Sequence, residues 1–483
     1  MESSKTNKIV NATKWSVIAE IIAKLILPII NMVLARLLTP EAFGVVATIT
    51  MIISFAEIFT DAGFQRYLIQ HEFDDSRDRE EATTIAFWSN MAVSVLLWLF
   101  IGIFSDKLSA LVGNPGLGSV MTIACASIPL AAFSSIQMAI YKRDLDFKTL
   151  FKVRIAGIVV PVVVTVPLAI WLRSYWALIA GTIATNLVNA VVLTLYSKWR
   201  PRFYFSWSKL KGMLSFSVWS MIESITIWLT GYIDIFVIGV SLNQFYLGLY
   251  KTSMATVGQI ISLVTSATTP ILFSALSRLQ NDEESFRNLF FNFQKIVGII
   301  IVPMGVGIFC FRYLLTDILL GDQWVEAANF IGLWALTSAI TVILSHYSSE
   351  VYRSLGKPRL SVLAQLLHIV VLCPAMIVAV KYDWNVVFIT RSLVRLELIL
   401  VNLVIMYFVV HISPLQMFRN IAPALISAVV MGCLSAFLVE VNPSVWWQCV
   451  VIVISVLIYF AMIVCFKKER QIIVDFVSRL IKK

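Results

Sequence analysis

Stretches of twenty or more mostly apolar residues recur fourteen times along the chain, at 13–36, 42–64, 83–104, 118–141, 153–173, 176–197, 213–238, 246–275, 289–311, 325–347, 358–380, 385–410, 420–440 and 444–466. Each is long enough to cross the roughly 30 Å hydrocarbon layer of a bilayer as an α-helix. The alternating ten-residue pattern of a transmembrane barrel, the other backbone-satisfied way to span lipid, is absent. The predicted fold class is therefore all-α: a polytopic membrane protein with fourteen transmembrane helices.

Composition narrows the function classes. Of 483 residues, 59% are hydrophobic and 14% charged, and the mean hydropathy is +0.86. Soluble domains are about half apolar and a quarter charged, so a water-soluble enzyme is excluded. The connecting segments are too short for an extramembrane domain of about 100–150 residues, and no G-x-x-x-x-G-K-[ST] occurs. An ATP-hydrolysing module on this chain is thus ruled out. Energy must come from a gradient, from the substrate or from a separate partner. No H-E-x-x-H, no G-x-S-x-G and no acidic nucleotide-sugar motif is present, so no catalytic residue is assigned. The six cysteines lack C-x-x-C spacing and read as packing residues rather than disulfides or ligands. His346 and His368 lack metal-ligand spacing and read as packing or pore-lining residues. No metal or other cofactor is expected, apart from a coupling cation, H+ or Na+. The N-terminus carries Lys5 and Lys8 without a small-residue cleavage site, so the first helix is expected to be retained.

Charge sets an orientation. With the N-terminus in the cytoplasm, segments on that side hold 29 of the 38 Lys and Arg, the opposite side holds 6, and Lys24, Arg391 and Arg395 lie within spans. This positive-inside bias places both termini in the cytoplasm. It also accounts for the net charge of +10 without a nucleic-acid partner. In the tail, Ile473, Phe476, Val477, Leu480 and Ile481 share one helical face and the basic residues lie largely elsewhere. Such a helix suits the anionic inner leaflet, and a solvated basic tail is the alternative.

A short internal repeat divides the chain. Trp15-Ser16-Val17-Ile18 recurs as Trp219-Ser220-Met221-Ile222 at an offset of 204, which also relates Leu38 to Leu242 and Gly44 to Gly248. Leu111-Val112-Gly113-Asn114 has a counterpart in Leu319-Leu320-Gly321-Asp322 at an offset of 208. Helices one to six thus correspond to helices seven to twelve. Six spans return the chain to the same side, so the two lobes run parallel. The expected organisation is an N-terminal lobe at 1–210, a C-terminal lobe at 211–415, two extra helices at 416–466 and a basic amphipathic tail helix at 467–483.

Ionisable residues at membrane depth are costly and mark pathways or partners. Helix one carries Glu20, Lys24, Pro28 and Asn31 on one face, and helix two carries Thr50, Ser54, Glu57 and Asp61. Helix seven offers Glu223, Thr230 and Asp234, helix eight Lys251, Thr252, Thr256 and Gln259, and helix twelve Arg391, Arg395 and Glu397. Lys24, Asn31, Gln259, Arg391 and Arg395 are candidate substrate contacts. Glu20, Glu57, Asp61, Glu223, Asp234 and Glu397 are candidate ion-coupling or counter-ion sites. Other readings stand beside these. Glu20 and Lys24, four apart, can neutralise one another, and Asp61 and Asp234, near span ends, can be solvated. Arg391 and Arg395 cannot pair with each other; they suit a phosphate gripped bidentately, or acidic residues on other helices. Pro28, Pro161 and Pro167 remove backbone hydrogen bonds and are candidate hinge points.

The stretch Ala35-Arg36-Leu37-Leu38-Thr39-Pro40-Glu41-Ala42-Phe43-Gly44-Val45-Val46-Ala47 closely resembles the signature of Wzx-type polysaccharide flippases, particularly the colanic-acid and teichuronic-acid exporter branch. That family belongs to the superfamily that also holds the MATE drug/cation antiporters and the lipid II flippases. Ile238-Gly239, Leu247-Gly248-Leu249-Tyr250 and Ser277-Arg278-Leu279-Gln280 are further similar features. The resemblance implies two six-helix lobes around a central cavity that alternates between leaflets. It also implies that helices thirteen and fourteen, similar to the pair that lines a polyprenyl groove in lipid II flippases, serve the lipid tail. Its motifs are structural and transfer no site residue. The function it implies is a monomeric, non-enzymatic flippase in the bacterial inner (plasma) membrane. Its cargo would be an undecaprenyl-diphosphate-linked oligosaccharide, with polysaccharide-biosynthesis enzymes as further partners. Two rivals stand beside it. A cation-coupled multidrug antiporter should have twelve helices and a cavity for cationic compounds, and a membrane glycan ligase or polymerase needs a large outer loop with catalytic groups.

Overall fold

The computed structural model describes the backbone of residues 2–61, 63–197 and 199–481, and their side chains except those of 2–12, 61, 215–220, 222, 223, 473, 475–477 and 479–481. Among the described residues there is no strand. Fourteen helices are long and apolar enough to cross a membrane. They are α1 (Glu2–Leu37), α2 (Pro40–Asp61), α3 (Ser76–Ile103), α4 (Gly118–Arg143), α5 (Phe147–Leu172), α6 (Trp176–Tyr196), α7 (Trp207–Ser241) and α8 (Gln244–Arg278). They continue as α9 (Glu283–Cys310), α10 (Asp322–Ser354), α11 (Arg359–Ala379), α12 (Trp384–Val410), α13 (Pro414–Val441) and α14 (Val445–Val464), and a tail helix α15 (Lys467–Ile481) follows. Side chains of the tail's expected apolar face, Ile473, Phe476, Val477, Leu480 and Ile481, lie outside the described residues.

Helix starts follow local chemistry. Asp75, Asp146, Asp282 and Asp383 accept a hydrogen bond from the backbone N–H three residues on, at 2.6, 3.1, 3.1 and 2.9 Å, and so satisfy donors that the first turns of α3, α5, α9 and α12 leave free. Of the candidate hinge prolines, Pro28 sits inside a continuous α1. Pro161 instead opens a five-residue π turn, Pro161–Thr165, where the extra residue absorbs the missing donor. A second π turn, Val342–His346, interrupts α10 without any proline, and nothing in the local sequence predicts it. The cysteines split: Cys125 is buried, whereas Cys433, Cys449 and, just past the end of α14, Cys465 are exposed, against the packing role expected for all six.

The chain forms two compact units, Met1–Lys251 and Thr252–Lys483. In the first, α1 packs on α5, α6 on α4 and α5, α3 on α4, and α7 on α2. Small residues allow the close approach: Ala23, Ala42, Ala169 and Ala177 are buried with Ile30, Leu34 and Leu38. In the second, α9 packs on α10 and α13, α12 on α10 and α11, and α14 on α13.

The repeat is visible in the backbone. Gly113 and Gly321, related by the offset of 208, both adopt left-handed backbone, with φ of 80° and 99°. Within the first unit the starts of α2 and α8 cross reciprocally. A Cβ on Gly44 would overlap the carbonyl of Gln244, and one on Gly248 would overlap that of Pro40. Pro40 and Gln244 share the offset of 204 that relates Gly44 to Gly248, so each start presents its glycine to the other's first residue. The Asn114 side chain donates to Thr48 Oγ1 beside this crossing, and Gln244 Nε2 donates to the Gly113 carbonyl at 2.7 Å.

Overpacking such a contact costs about 1–3 kcal/mol. Gly44→Ala and Gly248→Ala are therefore expected to lower the thermal unfolding temperature in detergent. Gly258→Ala, where nothing lies within 4 Å, is expected to leave it unchanged or raise it slightly. Equal melting of all three would contradict the crossing.

Candidate functional site

Several polar residues of the second unit meet along the seam between α10 and α12. Arg391, Arg395 and Asn402 recur at helical spacing along α12, and Trp334, Ser338 and Ser345 do so along α10. The rungs share one sequence offset of 57, the signature of two helices running in parallel and in register. At the first rung the guanidinium of Arg391 lies 4.9 Å from the centre of the Trp334 ring, and that of Arg395 lies 4.0 Å from the same ring. Arg395 Nη1 donates to Ser338 Oγ at the second. At the third, Asn402 Nδ2 donates to Ser345 Oγ at 2.9 Å, and the Tyr352 hydroxyl donates to Asn402 Oδ1 at 3.1 Å. Arg391 is only 7% exposed, whereas Arg395 is half-buried. An aromatic face stabilises a desolvated guanidinium, so one tryptophan supports two cations whose mutual repulsion would otherwise part them.

Glu397, on α12 beyond the arginines, bonds His368 of α11: Nδ1 to Oε2 is 3.0 Å. The imidazole is buried and the carboxylate partly exposed. His368 is thus a polar partner rather than a packing residue. Its signal in the sequence was faint: a lone histidine in an otherwise apolar span.

The third rung has an equivalent in the first unit. Gln137 Nε2 of α4 donates to Thr194 Oγ1 of α6 at 3.1 Å, and both residues are displaced by 208 positions from Ser345 and Asn402. The same displacement takes Arg391 to Ile183, Arg395 to Leu187, Trp334 to Ala126 and Ser338 to Leu130. Only the second half of the repeat carries the cations.

Elsewhere the expected candidates take separate places. In the first unit Lys24 and Arg154 both pair with Glu20, at 3.7 and 2.8 Å, joining α1 to α5. Neutralisation thus describes Glu20 and Lys24 better than a ligand contact. Asn31 is exposed on α1, and Glu57 is half-buried on α2. Asp234 is 1% exposed, so the solvated reading fails. It accepts hydrogen bonds from the Tyr250 hydroxyl and, at 2.8 Å, from the Ile235 amide, an internal compensation that a span-end position does not reveal. The side chains of Asp61 and Glu223 lie outside the described residues. In the second unit Gln259 is half-buried on α8. Among the described residues no group of three His, Cys, Asp or Glu is placed to hold a metal ion. Outside the spans, Lys209 bonds Asp78 at 2.6 Å and Glu81 at 2.8 Å, and these carboxylates raise its ammonium above the ordinary lysine range.

The second unit also contains a groove of about 1300 Å³. It is walled by α9, α13, α14 and α15. Most of its lining is apolar, including Ile299, Met304, Met431 and Ile452, while Asn292, Lys295, Lys468 and Gln471 stand at one end. Lys295 pairs with Glu469 at 3.5 Å, with exposures of only 12% and 6%, and this tethers the tail helix to α9. The Tyr459 hydroxyl donates to the Ile299 carbonyl at 2.8 Å, fixing α14 against α9. Sequence reading pointed to helices thirteen and fourteen but not to α9 or the tail, because walls contributed by distant spans leave no local pattern.

A family described as Polysaccharide biosynthesis protein matches residues 33–329. Over 308 residues the chain is 25% identical to the succinoglycan biosynthesis transport protein ExoT of Rhizobium meliloti (strain 1021), covering 64% of this chain and 62% of that one. Over 328 residues it is 24% identical to the lipopolysaccharide biosynthesis protein WzxC of Escherichia coli (strain K12), covering 66% and 65%. The match thus spans slightly less than two thirds of either relative. Among solved structures the chain is similar to a lipid II flippase MurJ in an inward closed conformation, with a TM-score of 0.76 and 13% identity over 95% of this chain and 99% of that chain. It is also similar to an inward-facing multidrug resistance MATE family transporter of the MOP superfamily, with a TM-score of 0.58 and 12% identity over 82% and 94%. At these identities the structural likeness establishes the fold.

Proposed function

The chain belongs to the polysaccharide biosynthesis protein family, and from that premise we propose that it is a flippase for a polyprenyl-diphosphate-linked oligosaccharide. It carries its cargo intact from the inner to the outer leaflet of a bacterial plasma membrane by alternating access, as a secondary-type transporter rather than an enzyme. The names of two relatives, a succinoglycan biosynthesis transport protein and a lipopolysaccharide biosynthesis protein, support a sugar-polymer pathway. Both termini are cytoplasmic on the strength of the 29 to 6 charge bias.

The observation that carries this reading is the pair Arg391 and Arg395 on one tryptophan ring. Two guanidinium groups held side by side in a low-dielectric setting suit a diphosphate, which offers oxygens to both. A carrier of cationic drugs would place anions there instead. The groove of α9, α13, α14 and α15 supplies an apolar channel for the polyprenyl chain, and its polar end lies with the basic tail. An inside-negative membrane potential favours outward movement of an anion by about 2.3 kcal/mol per charge per 100 mV. Export then needs no ATP-hydrolysing module on this chain.

The test is translocation of a fluorescent lipid-linked sugar by purified protein in vesicles, read as access to an impermeant quencher with the sugar-lipid bond intact. A charged hydrogen bond is worth about 1.5–3 kcal/mol, so Arg391→Ala and Arg395→Ala should each slow translocation about tenfold or more while membrane insertion persists. Bond cleavage or sugar transfer by the protein would overturn the reading. Gly307 lines the groove, and a side chain there meets open space. Gly307→Leu is therefore expected to slow translocation of long-chain cargo without lowering the unfolding temperature; an unchanged rate would exclude the groove from the path.

A further inference from the structure

Glu397 lies two residues beyond Arg395 on α12 and bonds the buried His368 of α11. α11 packs on α12, and buried Ala364, Leu372 and Met376 repeat the spacing of His368 along α11. A buried imidazole bonded to a carboxylate at membrane depth is a place where one proton can be gained or lost with little rearrangement, and such pairs mark proton relays. We propose that the His368–Glu397 pair takes up a proton when an anion binds at Arg391 and Arg395, so that anion affinity and protonation are linked. The inference rests on the anion-carrying reading above and adds to it the identity of the proton site.

The argument is electrostatic. Glu397, Arg391 and Arg395 are the charged groups whose fields act on His368. With the imidazole neutral and the carboxylate ionised, these four side chains carry one net positive charge; with one more proton on the pair they carry two. Arginine stays charged throughout. A diphosphate placed against the guanidiniums stabilises the added proton, and by reciprocity the proton strengthens the grip on the diphosphate. On α10, Glu350 pairs with Arg353 at 3.0 Å and so neutralises itself. His346 lies 3.3 Å from the Thr269 hydroxyl, and Tyr352 is committed to Asn402. α10 also carries Asp322, Glu326 and Tyr347, α11 itself Arg359 and Cys373, α12 Tyr407, and α13, which also packs on α12, Arg419, Cys433 and Glu440. The proton comes from the aqueous phase that delivers the anion and returns to water when the anion leaves. It therefore travels with the cargo instead of being exchanged for it, and the sign follows: affinity rises as pH falls through the pair's titration.

The experiment measures binding of farnesyl diphosphate to the full-length protein in nanodiscs at pH 5.5, 6.5, 7.5 and 8.5, for wild type, His368→Gln and Glu397→Gln. The ligand's own titration is common to all three, so the difference between them isolates the pair. Wild type should bind about 5- to 150-fold more tightly at the acid end relative to either variant's own pH change. A second measurement uses wild type alone: adding farnesyl diphosphate in weakly buffered solution should draw up to about one proton beyond the ligand's own. The proposal is overturned if the three pH profiles coincide, if no proton is taken up, or if wild type fails to bind at every pH. If wild type binds with the expected linkage yet moves no lipid-linked sugar in vesicles, the flippase reading fails and the proton site stands.

Discussion

Hydrocarbon offers no hydrogen bonds, so a chain that lives in it must satisfy its polar groups internally. That constraint turns the fourteen apolar stretches into helices, and it decides where the remaining polar side chains can go. Asp234 is tolerated at 1% exposure because a tyrosine hydroxyl and a backbone amide meet it. Asn402 is tolerated because Ser345 and Tyr352 share its two ends. Arg391 and Arg395 are tolerated because an aromatic face accepts them. The last arrangement differs in kind. Hydroxyl and amide contacts satisfy polar groups, whereas a guanidinium over a ring keeps its full positive charge.

The internal repeat shows how such a feature arises. The rung of Gln137 and Thr194 and the rung of Ser345 and Asn402 occupy corresponding places, so a polar tie between the fourth and sixth helix of each half belongs to the shared architecture. The cationic rungs have only Ala126, Leu130, Ile183 and Leu187 as their counterparts. A structural seam in one half is thus a charged one in the other, on the same backbone plan. The crossing of Gly44 and Gly248 belongs to the plan itself, since each glycine makes room for the other helix's first residue.

Much of this was legible in the sequence. The spans follow from apolar run length alone, and the positions of Arg391 and Arg395 follow from the cost of charge in lipid. The Gly113 and Gly321 match marked the internal repeat, and the structure adds that both turn with positive φ. What could not be read was lateral: which helix faces which, and at what register. Trp334 is one tryptophan of 14 until α10 is set beside α12. His368 has no sequence signature because its partner lies 29 positions away on another helix. The π turn at Val342–His346 lacks the proline that marks the one at Pro161, and the groove draws its walls from four separated segments. Asp234 misled for the same reason: distance from a span end says nothing about the tyrosine sixteen residues on.

The account depends on the guanidinium pair being reachable from water although its helix crosses the membrane. Solvent access at Arg395 tests this most directly. On a background with the six native cysteines replaced, Arg395→Cys should react with a membrane-impermeant thiol reagent in sealed vesicles. Leu400→Cys, on the outward apolar face of the same helix, should stay unlabelled. An Arg395→Cys variant as inert as Leu400→Cys would mean that the cations serve only the packing of α10 and α12, and would contradict the account.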